Sequence, residues 1–396
     1  WFIKGTDPKT WPERMNEVFG DRHVMGTDFT SFEAHHCGTF SNIVYYWMLH
    51  MIRNLKNIRP IKDLIAKLVN GDNDIHFSKL NVKITQRLMS GAMWTSSANG
   101  LLNLLFMSYL SACASNGSDA DPILLAQWSN DHFEGLIEGD DGLCVDLGID
   151  LQVVKELGLD MKPEFKDHFS KAGFCGIVCD ANDRVVMKDP IPFLRNFFVL
   201  PKKYKDMKAT HMKGLMRAKA LSYLYNFSGC PIIDPICHWV LERTKSLTVT
   251  RYLADFDQFH SGFVLKGQKE KVWLHRKPIG DSARAIVADR FGISVEMQVK
   301  IEKSFSDNNS DIISFDHSTL VDQVSIEHAI NFVFNEEGEI SLPHPSVPKE
   351  IQAVLDGTYK AEPAKDPPLW DINFRKYWHK AIDYIAHKPY GKERTD

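Results

Sequence analysis

Ile137-Glu138-Gly139-Asp140-Asp141-Gly142-Leu143-Cys144-Val145 sets two adjacent carboxylates between two short apolar runs. A glycine and an aspartate joining such runs predict a tight β-hairpin with acids displayed at its tip. Taken alone, Gly-Asp-Asp is a polar turn. Neighbouring exposed acids also suit a shared metal ion, and the segments on either side decide between the two.

Upstream, His23-Val24-Met25-Gly26-Thr27-Asp28 reads as a strand that delivers a third carboxylate, inside Asp28-Phe29-Thr30-Ser31-Phe32-Glu33. An aspartate ending a strand is more often a turn or cap residue, so Asp28 takes its meaning from its company. Mg²⁺ prefers oxygen ligands in octahedral geometry and is held by one or two carboxylates plus substrate phosphates. Two such ions, about 3.5–4 Å apart, clamp the attacking and leaving oxygens of an in-line displacement. That chemistry calls for acids from two separate strands, here Asp28 and Asp140, with Asp141 beside them.

Between them stands Ser90-Gly91-Ala92-Met93-Trp94-Thr95-Ser96-Ser97-Ala98-Asn99. Gly91 allows positive φ in a loop, and Thr95 and Asn99, four apart, share one face of the helix that follows. Residues 94–111 have few breakers, and Leu101, Leu102, Leu104, Leu105, Met107 and Leu110 predict a buried helix. A core helix capped by Ser90 or Thr95 explains this stretch apart from Asn99.

In this order the three segments resemble the catalytic motifs of positive-strand RNA virus RNA-dependent RNA polymerases, most similar in texture to diverged tombusvirus-like and nodavirus-like enzymes. The resemblance implies an α+β right-hand fold, with an antiparallel palm sheet backed by helices, a fingers insertion and a helical thumb. It implies RNA-templated RNA synthesis, with Asp28 and Asp140 ligating two Mg²⁺ or Mn²⁺ ions and Asp141 supporting them. Ser90, Gly91, Thr95 and Asn99 would bind the incoming ribonucleotide and sense its 2′-hydroxyl. Where the family has a second aspartate, five residues after the first, this chain has Glu33, whose extra methylene shifts its reach.

Farther on, Gly158-Leu159-Asp160-Met161-Lys162-Pro163-Glu164-Phe165-Lys166 resembles the family's lysine segment. Lys166 would then protonate the leaving pyrophosphate as a general acid, with Lys162 its rival. Residues 172–179 and 184–187 flank the polar turn Asp180-Ala181-Asn182-Asp183 and read as a second hairpin. Its position resembles the primer grip, in which Phe174 and Cys175 would hold the nascent RNA. Cys175 and Cys179 lack a second Cys or His pair at short spacing, so buried thiols in a strand are expected.

Arg195, Lys202, Lys203, Lys205, Lys208, Lys213, Arg217 and Lys219 then face Asp206 alone, within a chain of net charge −4. Phosphate backbones attract such clusters, and Phe197, Phe198 and Tyr204 are interleaved. A charge run is usually a solvated face. Following a primer grip, it is also where product RNA should leave, with Arg195, Lys202, Lys203, Lys205 and Lys208 as candidate contacts.

At 396 residues the chain should hold more than one core. Its 44% hydrophobic and 25% charged residues are ordinary globular usage. No apolar run is long enough for a transmembrane helix, and the start shows no signal-peptide pattern. Seven cysteines without framework spacing suggest reduced thiols. The resemblance adds template and nascent RNA, nucleoside triphosphates and other viral replicase proteins as partners. It also implies a host-cytoplasmic setting in membrane-associated replication complexes anchored by other viral segments.

The expected division is 1–22 end of fingers, 23–33 palm, 34–82 fingers insertion, 83–190 palm, 191–338 thumb and 339–396 proline-rich extension. Asp28 lies so near Trp1 that the N-terminal fingers are expected to be largely absent, the chain being part of a longer replicase. Lys4, Lys9, Arg14 and Arg22 are too scattered to supply a basic nucleotide-gripping strand. Helices are expected over 32–57, 210–226, 232–246, 284–291 and 294–305. A closing helix over 370–387 would dock on the thumb or on another protein. Two rivals remain: a reverse transcriptase, expected to carry a bulky residue where this chain has Ser90 and Asn99, and a degenerate RNA-binding fold, which would have no need of carboxylates that repel phosphate.

Overall fold

The computed structural model describes residues 1–29, 32–35, 38–76, 81–85, 87–89, 91–198, 208–247, 277–307 and 373–387. In chain order the elements are α1 (Trp11–Phe19), β1 (Val24–Phe29), α2 (Thr39–Met51), α3 (Arg59–Asn70), β2 (Asp72–His76), β3 (Asn81–Thr85), α4 (Thr95–Asn116) and α5 (Pro122–His132). Next come β4 (Gly135–Glu138), β5 (Asp141–Val145), α6 (Leu151–Glu156), β6 (Met161–Lys166), β7 (Val178–Asp180) and β8 (Val185–Met187). The helices α7 (Pro190–Asn196), α8 (Ala209–Phe227), α9 (Ile233–Arg243), α10 (Asp281–Phe291), α11 (Val295–Ser306) and α12 (Asn373–His387) complete them. Two compact units result, one of Trp1–Gly5, Val18–Cys175 and Pro345–Asp396, the other of Thr6–Glu17 and Gly176–His344.

The first unit is built on a four-stranded sheet of order β4-β5-β1-β6, antiparallel throughout. The outer edge of β4 is not left bare. The Ile137 N–H donates to the Trp1 carbonyl at 2.8 Å and the Ile3 N–H to the Ile137 carbonyl at 3.2 Å, so the first residues lie parallel to β4. An edge strand leaves N–H and C=O groups unpaired, and this short segment satisfies some of them.

Helix α4 backs the sheet. Its residues from Ala98 to Cys113 are all buried, as an apolar circumference demands. Where it meets β5 the contact is so close that a Cβ on Gly142 would lie 2.3 Å from Met107 Sδ and 2.9 Å from Thr27 Oγ1. Glycine is the residue that fits.

The single helix expected over 32–57 is broken. A 3-10 turn at Phe32–His35 precedes α2, and Gly38, with φ at +54°, separates them. Strand β2 pairs with β3 from Asp72↔Thr85 to His76↔Asn81, a hairpin that the polar Asp72-Asn73-Asp74 run does not announce.

The closing helix, expected on the thumb or on a partner, instead packs in this unit against α5, α2 and α4. Phe374, Tyr377, Trp378, Ala381 and Ile382 form its buried stripe at helical spacing. The Tyr377 hydroxyl donates to Ser129 Oγ at 2.9 Å and lies 2.7 Å from Ser108 Oγ. Burial raises its pKa. The rest of the proline-rich extension lies outside the described residues.

The second unit holds the β7–β8 hairpin, registered Val178↔Met187 to Asp180↔Val185, and α7 to α11. Asp180 Oδ1 accepts the Asn182 N–H at 2.9 Å, closing the expected polar turn. Its core gathers Phe193, Phe197, Leu221, Ile236 and Ile301. Arg217 is buried there and donates to the Leu241 carbonyl at 2.9 Å.

Candidate active site

Strands β4 and β5 are joined by Gly139-Asp140 alone, with Glu138 paired to Asp141 across the hairpin. Gly139 has φ at +63° and Asp140 does not share that region, the pattern of a II′ turn, which requires glycine first. Asp140 is exposed and Asp141 half-buried. Beneath them Asn103, fully buried on α4, donates from Nδ2 to the Asp140 carbonyl at 2.8 Å and the Gly139 carbonyl at 3.3 Å. The helix thus holds the turn by its backbone and leaves Asp140's carboxylate at the tip.

The β1–β5 register runs Val24↔Val145 to Thr27↔Gly142. One further step brings residue 28 level with Asp141. On its other side Asp28 is registered with Lys162. The backbone therefore gathers positions 28, 140 and 141 at one end of the sheet. Asp28's side chain is outside the described set, and among the described residues no cluster of three or more His, Cys, Asp or Glu is arranged to hold a metal ion. The oxygen donors of Asp140 and Asp141 are of the kind that a hard divalent cation takes.

A thiol registers the local charge. Cys175, half-buried with φ at +54°, donates to Asp141, and its pKa is raised by burial first and then by the charges of Asp141 and Glu138. Of the two, Cys179 is a buried strand thiol as expected, in β7, whereas Cys175 lies outside the strands. Phe174, expected to hold RNA, is 2% exposed. Its ring belongs to the core, because so little of it reaches solvent.

At the start of α4, Gly91 has φ at +90° and Thr95 Oγ1 donates to the Met89 carbonyl at 3.0 Å. Ser90 lies outside the described residues. Asn99, which a core helix left unexplained, is 2% exposed and donates to Glu33 Oε1 at 3.3 Å. One turn earlier Ser96 Oγ donates to Glu138 Oε1 at 3.4 Å and accepts from Lys4 Nζ at 2.7 Å. Lys4 Nζ also reaches Glu138 Oε1 at 2.8 Å. Ser96, Asn99 and Asn103 make a polar stripe on an apolar helix, a signal legible from their spacing. Lys4 gives no such signal, since it arrives by strand addition.

The lysine segment forms β6, and its register sets Lys162 opposite Asp28 and Lys166 opposite Val24. Four residues of strand are about 13 Å, and Lys166 pairs with Glu164 at 3.0 Å. The expected proton donor, Lys166, is therefore farther along the sheet from the acids than its rival.

The basic stretch divides. Lys208 and Lys213 are exposed and Arg195 is half-buried. Lys219 donates to the Asn196 carbonyl at 2.7 Å, its pKa drawn down by burial to about 8. Phe197 is buried, so it joins the core together with Arg217. Lys202, Lys203, Tyr204 and Lys205 lie outside the described residues.

No family model matches the chain. Among solved structures it is similar to the crystal structure of the RNA-dependent RNA polymerase of a human picorbirnavirus, at 15% identity with a TM-score of 0.42. The match covers 62% of this chain and 47% of that one, less than half of the other protein's length.

Proposed function

We propose that the chain is the catalytic region of a viral RNA-dependent RNA polymerase, extending RNA on an RNA template for a positive-strand genome. The observation that carries this is the Asp140-Asp141 turn standing one register step from Asp28, above the helix that joins Asn99 to Glu33. Mg²⁺ or Mn²⁺ ions held by Asp28, Asp140 and Asp141 would withdraw charge from the triphosphate and activate the attacking 3′-hydroxyl.

The chain's own residues do the positioning. Asn103 keeps the turn in place through its two carbonyls. Asn99 steadies Glu33, whose carboxylate is suited to accept a charge-assisted bond from a ribose hydroxyl. Ser90, Gly91 and Thr95 would bind the incoming ribonucleotide and sense its 2′-hydroxyl. A lysine donates a proton to the departing pyrophosphate, and the β6 register favours Lys162 over Lys166. Exposed Lys208 and Lys213 suit phosphates of the product.

In the cell this activity belongs in cytoplasmic replication complexes with other replicase proteins. Among the described residues no helix is long and apolar enough to cross a membrane.

Primer extension on an RNA template with Mg²⁺ or Mn²⁺, beside Asp140→Ala, tests the proposal. Ribonucleotide incorporation that vanishes in Asp140→Ala supports it. Preference for deoxyribonucleotides would point to a reverse transcriptase, and incorporation that survives Asp140→Ala would remove the acidic turn from the chemistry.

A further inference from the structure

We infer that Lys4 is a positioning residue for the acidic turn: by holding Glu138, it keeps an additional carboxylate off the metal-binding face that Asp140 and Asp141 present. The inference rests on the polymerase reading above. Glu138 and Asp141 are directly paired across the hairpin, so their side chains share a face, where like charges repel. Both charges are felt by the Cys175 thiol. Something must offset Glu138 if the turn is to carry two more acids.

Lys4 is positioned for that. The Trp1–Ile3 strand addition along β4 delivers it to the mouth of the turn, and Trp1 Nε1 anchors the segment on the Phe133 carbonyl at 3.0 Å. Its ammonium bridges Glu138 Oε1 at 2.8 Å and Ser96 Oγ at 2.7 Å, tying the hairpin to the first turn of α4. Oε2 of Glu138 is buried and makes no hydrogen bond among the described residues. Released from Lys4, this carboxylate, on the residue paired with Asp141, would compete for a cation at the turn.

Lys4's side chain is 56% exposed and Glu138's 22%. Exposed pairs of this kind contribute little to folding, so the consequence of losing Lys4 is read in the site's charge and in the variants' chemistry.

The test uses the full chain with Lys4→Met, Lys4→Arg, Lys4→Met/Glu138→Gln and Asp140→Ala, followed by Mn²⁺ titration and by primer extension across metal concentrations. In Lys4→Met we expect Mn²⁺ to bind about three- to tenfold more tightly, because a positive charge that repels the cation is gone. Its kcat should fall about tenfold, because the cation is drawn away from the productive geometry. Lys4→Arg should recover most of the rate, and so should adding Glu138→Gln to Lys4→Met. Unchanged Mn²⁺ affinity in Lys4→Met overturns the inference even if no variant extends a primer. A double variant as impaired as Lys4→Met overturns it too, since the loss would not run through Glu138. Mn²⁺ binding and incorporation that survive Asp140→Ala would instead sink the polymerase reading itself.

Discussion

Asn103→Ala removes the amide on which the acidic turn sits. Its bond to the Asp140 carbonyl at 2.8 Å is well formed and the one to Gly139 at 3.3 Å is long, so together they contribute about 1.5 kcal/mol. Gly139 is buried, and its abandoned carbonyl adds a desolvation cost of about 1 kcal/mol. In the other direction, Asn103 Oδ1 is itself buried without a hydrogen bond among the described residues, and deleting it returns about 1 kcal/mol. The net loss is about 1.5 kcal/mol, or a Tm lowered by about 3–6 °C in a unit of this size. Asn103→Asp keeps the shape but turns a carboxylate oxygen toward those same carbonyls, which should cost about 3 kcal/mol or more. Thermal melts followed by circular dichroism read both, and primer extension should show kcat falling more than KM changes. An Asn103→Asp protein as stable as the parent, or an alanine variant with unaltered Tm and kcat, would refute the idea that this amide holds the turn.

Gly142→Ala forces a Cβ to 2.3 Å from Met107 Sδ and should cost about 1–3 kcal/mol, partly recovered by Met107→Ala; equal urea midpoints for parent and variant would contradict this. Tyr377→Phe deletes the hydroxyl that meets Ser108 and Ser129 and should lower stability by about 1–2 kcal/mol, measured by urea unfolding of the full chain. Lys219, whose pKa falls from 10.5 to about 8 on folding, binds fewer protons in the native than in the unfolded state between those values. Stability should therefore rise with pH from about 8 to 10.5, the penalty being complete below 8, and Lys219→Met should flatten that slope in denaturation midpoints taken across the range.

Local grammar made much of the fold legible. The Gly139-Asp140 turn needs only its own residues and the apolar runs beside it. Strand β1, expected over 23–28, runs Val24–Phe29, and α11, expected over 294–305, runs Val295–Ser306 behind a Ser294 cap. Structure departs from composition where a backbone feature overrides it: Gly38 splits an apparently continuous helix, and the polar β2 pairs with β3. Helix α5 is legible in hindsight from its cap alone: Asp121, accepting the Ile123 N–H at 2.7 Å and followed by Pro122, carries an N-terminal signature. The destination of α12 was not legible, because a buried stripe states that a helix must dock without naming its partner.

The same distinction runs through the site. Acids at 28, 140 and 141 stand out by type and spacing, but the contacts around the turn have meaning only once the chain is folded. Asn99 and Glu33 are far apart in sequence, as are Lys4 and Glu138 or Asn103 and the turn, yet each pair meets within hydrogen-bond reach. Asn99 and Asn103 make two of these ties, and Ser96 bonds both partners of the third, all from one face of α4, a helix buried along most of its length. A rigid element that indexes Glu33, the acidic turn and the neighbouring Glu138 together is what the preorganised electrostatics of the proposed polymerase would require. It follows that a repacking change deep in α4, such as at Met107 under Gly142, should disturb sugar selection and metal response together, whereas a change in Glu33 alone should move only the first.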